Sequence, residues 1–252
     1  MINKLGLQLY TIRDFMNTEE DIRASFRKMK EIGYDVAQTA GCEIPYADFG
    51  RIAAEEGIEI CGTHDGFYEM IEDPELAMEN HRLLGTTNMG IGGFNTTTPE
   101  KVTEFITQAN KLADIIYPHG FKFTYHHHSD EFIRYEDGRT AMDMLIEGLD
   151  PEKTSFVMDT YWIQHGGRDV RHWIEKLAGR IDILHLKEMG RSREAGGPFI
   201  TEIGNGGIWW EGVLETAVKA GVKYFVVEQD TCPGDPFDSI KKSADYLKKF
   251  IG

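Results

Sequence analysis

The chain has 252 residues, of which 42 are Asp or Glu and 27 are Lys or Arg, so its formal net charge is −15. A charge of this sign repels phosphate backbones and anionic membranes, which argues against nucleic acid and membrane surfaces as partners. The cysteines Cys42, Cys61 and Cys232 lie far apart, and no apolar run has the length of a signal peptide core or a membrane span. We therefore expect a cytoplasmic protein without a disulfide framework.

Short apolar runs alternate with longer amphipathic stretches along the whole chain. Most of these runs are rich in β-branched or aromatic residues and are bounded by polar turns, a pattern that favours buried strands. The eight candidate strands lie at residues 5–10, 34–40, 58–64, 87–93, 121–128, 154–159, 181–187 and 224–229.

Helical periodicity occupies segments between these strands. Residues 19–33 place apolar side chains at helical spacing, and Gly33 stands where a C-terminal cap is expected. Residues 99–120 repeat the pattern, with Thr98 as the N-cap and Pro99 at the first helical position. Further helices are predicted over residues 168–179, 209–221 and 235–250.

The alternation of strands and helices predicts an α/β fold with a parallel sheet. Eight units of roughly 30 residues predict a closed (β/α)8 TIM barrel, which we expect to occupy residues 1–252 as a single domain. A doubly wound open sheet is the alternative. It is disfavoured because no G-x-G-x-x-G follows the first strand and no G-x-x-x-x-G-K-[ST] occurs anywhere in the chain.

Metal-binding residue types occur where the last four candidate strands end, which is the end of a barrel that carries the chemistry. Alternation along a strand places His126 with His128 on one face, and His185 with Lys187 on another. Carboxylates and imidazoles suit Mn²⁺, Mg²⁺, Co²⁺, Zn²⁺ or Fe²⁺. The sequence therefore predicts a divalent metal site with one ligand from each of these strand ends, where the Asp, Glu and His residues are His126 or His128, Asp159, His185 and Glu228.

The second half of the chain resembles the sugar isomerase/epimerase superfamily of xylose isomerase-like barrels. The alternation of strands and helices resembles that family over the whole chain, but the specific motifs lie between residues 120 and 230. These motifs are Y-H-x-H at 125–128, D-T-Y-W at 159–162 followed by Gly166-Gly167, G-R-I at 179–181 leading into L-H-L-K-E at 184–188, a G-x-G-like turn within 202–210, and V-V-E at 226–228.

The resemblance implies that the metal is held from strands five to eight. The family usually supplies Glu, Asp, His and Glu, and by resemblance Asp159, His185 and Glu228 fill the last three places. His126 stands where glutamate is common. Isomerases and epimerases of this type use the two metal-bound glutamates as an acid/base pair, and one of that pair is missing here. The Y-H-x-H strand resembles other branches, which include inosose dehydratase-like proteins.

These features together lead us to expect a divalent-metal-dependent isomerase or epimerase that acts on a small sugar or keto-sugar. The reaction would proceed by proton abstraction next to a carbonyl, through a metal-stabilised enediolate. Glu228 is a candidate general base, and His128 and Lys187 are candidate proton shuttles. Loss of a β-substituent from the same enediolate would instead make the protein a dehydratase or lyase, and the sequence does not separate these outcomes.

Four further side chains are predicted to contact the substrate: His64, Trp162, His165 and Glu202. Two other interpretations stay open. A non-catalytic sugar-binding barrel is favoured by the missing glutamate, and a DNA-repair endonuclease is opposed by the net charge and by the scarcity of extra ligands in the first half. The sequence has no stripe that is diagnostic of self-association, so a homo-oligomer also stays open.

Overall fold

Eight parallel strands form one near-closed barrel in the computed structural model, which describes residues 2–252. Each strand lies beside its neighbours in the sequence, and the first strand pairs with the last. This arrangement confirms the predicted (β/α)8 barrel. The barrel strands are β1 (Leu5–Gln8), β2 (Val36–Gln38), β3 (Glu59–Gly62), β4 (Asn88–Ile91), β5 (Lys122–His126), β6 (Thr154–Asp159), β7 (Ile181–Leu186) and β10 (Tyr224–Val227).

A small apolar cluster forms one layer of the core, separate from the larger cluster formed by the other buried apolar side chains. Its members are Val36, Cys61, Val157, Ile183 and Val226. Side chains two positions further along a strand face the same way. The next residues on that face are therefore Asp159, His185 and Glu228. The register of β6 and β7 places Asp159 directly beside His185.

The barrel closes between β3 and β4 with the help of side chains. The Asn88 amide donates to the Cys61 carbonyl at 2.8 Å, and the Gly90 N–H donates to the Thr63 hydroxyl at 3.2 Å. A backbone bond from the Asp65 N–H to the Gly90 carbonyl, 2.9 Å long, lies beside them. Glycine is required at position 90 because a Cβ there would lie 2.3 Å from the Thr63 carbonyl oxygen.

Helices connect the barrel strands, and each of the five predicted helical segments contains one. The predicted caps are confirmed: Gly33 adopts a left-handed φ of 116°, and the Thr98 side chain accepts from the Lys101 N–H. No helix within residues 2–252 combines the length and the apolar character that a membrane crossing requires. The helices are α1 (Glu19–Ile32), α2 (Tyr46–Glu55), α3 (Phe67–Glu72), α4 (Pro74–Leu84), α5 (Pro99–Ile116), α6 (Ala141–Gly148), α7 (Thr160–His165), α8 (Val170–Lys176), α9 (Trp210–Lys219) and α10 (Pro236–Leu247).

An antiparallel hairpin that the sequence did not predict follows β7 directly. It consists of β8 (Glu188–Arg191) and β9 (Pro198–Thr201). The buried Glu188 carboxylate at its base accepts from the Gly204 N–H at 3.0 Å and from the Trp210 indole at 2.5 Å. A buried carboxylate thus joins the hairpin to the glycine-rich segment that precedes α9.

Candidate metal centre and active site

His126, Asp159, His185 and Glu228 each bring one ligand atom to the C-terminal mouth of the barrel. All four side chains are buried, and these four atoms lie within 4.8 Å of one another. Asp159 Oδ2 lies 3.6 Å from His126 Nε2 and 3.6 Å from His185 Nδ1. His185 Nδ1 lies 2.9 Å from Glu228 Oε2. The structure therefore brings together the four residues that the sequence predicted as a metal site.

Three of these inward-facing atoms are buried without a hydrogen-bond partner in the described part of the chain: His126 Nε2, Asp159 Oδ2 and His185 Nδ1. Buried polar atoms normally have a partner. The outer ring nitrogens do have one, because His126 Nδ1 donates to the Gly92 carbonyl at 3.2 Å and His185 Nε2 donates to the Gln38 side-chain oxygen at 2.5 Å. Since those oxygens can only accept, the outer nitrogens carry the hydrogens. The inward nitrogens are then the ones whose lone pairs can bind a cation once they carry no proton, and the donor set fits a divalent cation.

Asp159 has a further role in positioning the site. It ends β6 and is also the N-cap of α7, where its Oδ1 accepts from the Trp162 N–H at 3.0 Å. The backbone N–H of Asp159 donates to His127 Nε2 at 3.1 Å. His127 therefore points away from the cluster, as alternation along the strand predicts, and holds β6 from the side.

Lys187 supplies the positive charge beside the cluster. Its ammonium lies 2.7 Å from Asp230 Oδ1, 3.2 Å from Glu228 Oε2 and 3.8 Å from Asp159 Oδ2. Burial lowers the pKa of Lys187, but the surrounding carboxylates outweigh it and raise that pKa. Burial likewise raises the pKa of Asp159 and of Glu228, but the Lys187 ammonium together with His126 and His185 outweighs it and holds both below their usual range. Lysine and carboxylates therefore stay charged together.

His185 shows what competes with a cation at this site. Burial lowers its pKa, but the carboxylates of Glu228 and Asp159 outweigh that effect and raise the pKa to about 9. A proton and a divalent cation would therefore compete for the same ring.

A central cavity of about 350 Å³ opens above the cluster. His64 lines it, and its Nδ1 accepts from the Gln8 amide at 3.3 Å, because the Gln8 side-chain oxygen already accepts from the Tyr10 N–H. His64 Nε2 therefore carries the hydrogen, and it has no partner within residues 2–252. The lining of the cavity comprises Tyr10, Ala40, His64, Gly92, His126, His128, Lys187, Glu228 and Asp230.

His128 is the second imidazole of the cavity wall outside the ligand set. Its ring centroid lies 4.8 Å from that of His126 and 5.1 Å from that of Trp162. Burial, with His126 acting in the same direction, lowers the pKa of His128 to about 4. The ring is therefore neutral near pH 7 and can accept a proton. Trp162 lies behind both shuttle candidates, with the Lys187 ammonium 4.9 Å from its ring centroid.

His165 and Glu202 are not brought to the central cavity. His165 ends α7 on an exposed surface, where its ring stacks on Tyr161 at 5.5 Å. The Glu202 carboxylate is engaged elsewhere, since it accepts from Ser239 at 3.1 Å and from Lys242 at 3.2 Å on α10. These contacts attach the segment after β9 to the outer layer of helices.

Sequence reasoning missed Asp230 and the contact that Gln38 makes. Asp230 lies two positions after Glu228, so alternation along the last strand could have indicated that it faces the same cavity. Gln38 lies near the end of the second candidate strand. Its bond to His185 joins residues 147 positions apart, and no local pattern signals such a contact.

Residues 26–250 match the model of the xylose isomerase-like TIM barrel family. Inosose dehydratase of Geobacillus thermodenitrificans is 30% identical over 171 residues, which cover 62% of this chain and 56% of that protein. Inosose dehydratase of Mesomycoplasma hyopneumoniae is 26% identical over 161 residues, or 56% of this chain and 52% of that protein. The matched region thus spans about half the length of these curated relatives.

Solved structures share the fold across the full chain. A sugar phosphate isomerase/epimerase from Parabacteroides distasonis superposes with a TM-score of 0.84 at 21% identity, covering 100% of this chain and 96% of that one. A probable 3-DHS dehydratase from Bacillus anthracis gives a TM-score of 0.75 at 14% identity, covering 97% and 98%. At these identities the likeness concerns the fold alone.

Proposed function

Because the chain belongs to the xylose isomerase-like TIM barrel family, we propose that it is a metal-dependent enzyme that removes water from a small polyhydroxy-ketone. The reaction class is elimination of a hydroxyl group β to a carbonyl, and a cyclic ketone such as an inosose is the first substrate to test. The observation that carries the proposal is the convergence of four buried ligand atoms beside a cavity that also contains a buried ammonium.

His126, Asp159, His185 and Glu228 would hold the cation. When bound, a divalent cation at this position supplies Lewis-acid polarisation of the substrate carbonyl. The charge-neutral imidazole His64 presents its Nε2–H to the cavity, where it would donate to a second substrate oxygen. This contact would orient the ring of the substrate without adding charge to the site.

Proton transfer is assigned to the two groups that line the cavity outside the ligand set. Neutral His128 would accept the proton from the carbon next to the carbonyl, and the electron pair of that C–H bond would form the new C=C bond. The Lys187 ammonium would give a proton to the hydroxyl that leaves from the neighbouring carbon. The products are an unsaturated ketone and water, so atoms and charges balance.

The acid and base in this cavity suit elimination better than epimerisation. Among residues 2–252, Lys187 is the only lysine or arginine that lines the central cavity, and its carboxylate neighbours keep it protonated. Epimerisation requires a second group that returns a proton to carbon from the opposite face. Burial holds the pKa of His64 and of His128 low, so near pH 7 neither imidazole carries the extra proton that this step needs at the start of turnover. The similarity to inosose dehydratases supports the same choice.

The test is to incubate the Mn²⁺-loaded protein with 2-keto-myo-inositol in D₂O and follow the reaction by NMR. We expect an unsaturated ketone to accumulate. Lys187→Met should lower its formation at least about 100-fold, because it removes the general acid. The same variant should still exchange deuterium into recovered ketone, since the first step does not use Lys187.

His128→Asn should abolish both exchange and elimination, while His119→Asn, which alters an exposed histidine near the opposite end of β5, should change neither. If deuterium exchanges and the product is an inverted or isomerised sugar, with no unsaturated ketone formed, the result would contradict dehydration and favour an epimerase or isomerase. Absence of exchange with a panel of ketoses and inososes would refute the proposed chemistry altogether.

A further inference from the structure

A second cavity of about 540 Å³ adjoins the central one and shares His128 with it as a wall residue. We call it the side groove. It lies between the segment that follows β4 and the segment that follows β5. Its lining includes Phe94, Asn95, Asp130, Ile133, Arg134 and Tyr135.

The side groove combines an apolar wall with scattered polar groups. Phe94 is held by Phe105, whose ring centroid lies 4.4 Å away, and the Tyr135 hydroxyl already donates to the Thr96 carbonyl at 2.6 Å. The Tyr135 hydroxyl is therefore occupied, and its ring is what remains for contact. Ile133 is 62% exposed and extends the apolar surface. Such surfaces suit a flat ring with apolar faces.

The polar groups of the groove do not favour an ion of either sign. Asp130 and Arg134 are both exposed and carry opposite charges. The third ionisable group of the lining, Glu131, is buried, and both of its carboxylate oxygens already accept hydrogen bonds, from the Tyr125 hydroxyl and the His128 N–H. Asn95 uses its side-chain oxygen to accept from Thr97, and its amide hydrogens have no partner within residues 2–252. Aromatic faces with both donors and acceptors at the margin match a neutral polyhydroxylated ring better than a phosphate.

We infer that the side groove is a subsite for a second, neutral sugar-like ring of the substrate. This inference rests on the proposed function: the reacting ketone would occupy the central cavity, and the ring joined to it would lie in the groove. His128 lines both spaces, so one molecule that fills both must contact it. The groove is larger than the central cavity, and both volumes lie within the roughly 300–1,000 Å³ range of small-molecule sites.

The binding test compares cellobiose with glucose by isothermal titration calorimetry on the Mn²⁺-loaded protein, and it requires no turnover. We expect cellobiose to bind at least about tenfold more tightly, because only the disaccharide can occupy the central cavity and the groove at the same time. Thr97→Trp, which adds bulk inside the groove, should abolish that preference and leave glucose binding unchanged. Thr107→Trp adds the same bulk at an exposed position of α5 that does not line the groove, and it should preserve the preference.

Asp130→Ala keeps the groove open and removes one hydrogen-bonding group. It should weaken cellobiose binding about three- to tenfold, the value of a single hydrogen bond, without affecting glucose. Equal binding of the two sugars, or a Thr97→Trp variant that retains the preference, would overturn the subsite. If cellobiose binds preferentially but no ketone is turned over, the subsite stands and the proposed dehydration fails.

Discussion

Gln38 fixes the ring of His185, and replacing it with leucine tests whether this contact prepares the site for a cation. Gln38 is fully buried, and its side-chain oxygen accepts from His185 Nε2 at 2.5 Å. Leucine has a similar size but cannot accept, so the His185 N–H would lose its partner at a cost of about 1–3 kcal/mol. Loss of the outer partner of a metal-binding histidine lowers metal affinity about 10–100-fold, or about 1.4–2.8 kcal/mol. The cost of the lost hydrogen bond and the expected loss of metal-binding free energy are therefore of similar size.

The assay is calorimetric titration of metal-free Gln38→Leu and wild-type protein with Mn²⁺ at about pH 8. We expect the Kd for Mn²⁺ to rise about 10–100-fold in the variant, with circular dichroism unchanged. Gln38→Glu is the matched control, because it keeps an oxygen acceptor at the same place and should retain most of the affinity. A folded Gln38→Leu protein that binds Mn²⁺ as tightly as wild type would refute the role assigned to this contact.

Three further predictions concern protonation and packing. Because the pKa of His185 is raised to about 9, its proton must leave when a cation binds, so Mn²⁺ should bind about tenfold more weakly at pH 6.5 than at pH 7.5; a pH-independent titration would contradict this. Burial raises the pKa of Asp65 from 3.8 to about 6, so its contribution to stability is complete below pH 4 and is lost as the pH rises through 6. In urea unfolding, the unfolding free energy of Asp65→Asn should therefore rise by up to about 3 kcal/mol relative to that of wild type between pH 4 and pH 7. A difference between the two proteins that does not change with pH would contradict the raised pKa of Asp65. Gly90→Ala would place its Cβ 2.3 Å from the Thr63 carbonyl oxygen and should lower the unfolding free energy by at least about 1–3 kcal/mol. Gly197→Ala, where a Cβ meets nothing within 4 Å, should stay within about 0.5 kcal/mol of wild type, and similar losses in both variants would rule out a specific clash at position 90.

Alternation along the strands explains why so much of the site could be predicted. Asp159 lies on β6, His185 lies on β7, and Glu228 directly follows β10. Because side chains alternate along a strand, each of these three residues faces the same side as the buried residue two positions before it. Parallel strands then bring their C-terminal ends to the same mouth. The metal cluster therefore follows from local patterns and one topological rule.

The remaining features depend on contacts between segments distant in the sequence. Glu188 directly follows the seventh candidate strand, but it starts a hairpin of its own and accepts from four nearby donors, two of them the Gly204 N–H and the Trp210 indole. Glu202 and His165 carry the right chemistry for substrate binding, yet helix packing directs one toward α10 and the other toward solvent. The side groove arises from two loops whose spacing only the closed barrel determines.

The four candidate cation ligands come from β5, β6, β7 and the end of β10, which are contiguous in the sheet, whereas Gln8 and His64 belong to the first three units. The part of the barrel formed by β5, β6, β7 and β10, which we call the charged arc, thus carries the charged side chains of the site. The remaining part, the neutral arc, contributes neutral groups and loop surface. Apart from Gln38, which holds the His185 ring, the side chains named in the neutral arc can change without removing a charge from the charged arc. During divergence from a common ancestor, such a division allows new substrates to be recruited through the neutral arc while the reaction itself is inherited unchanged.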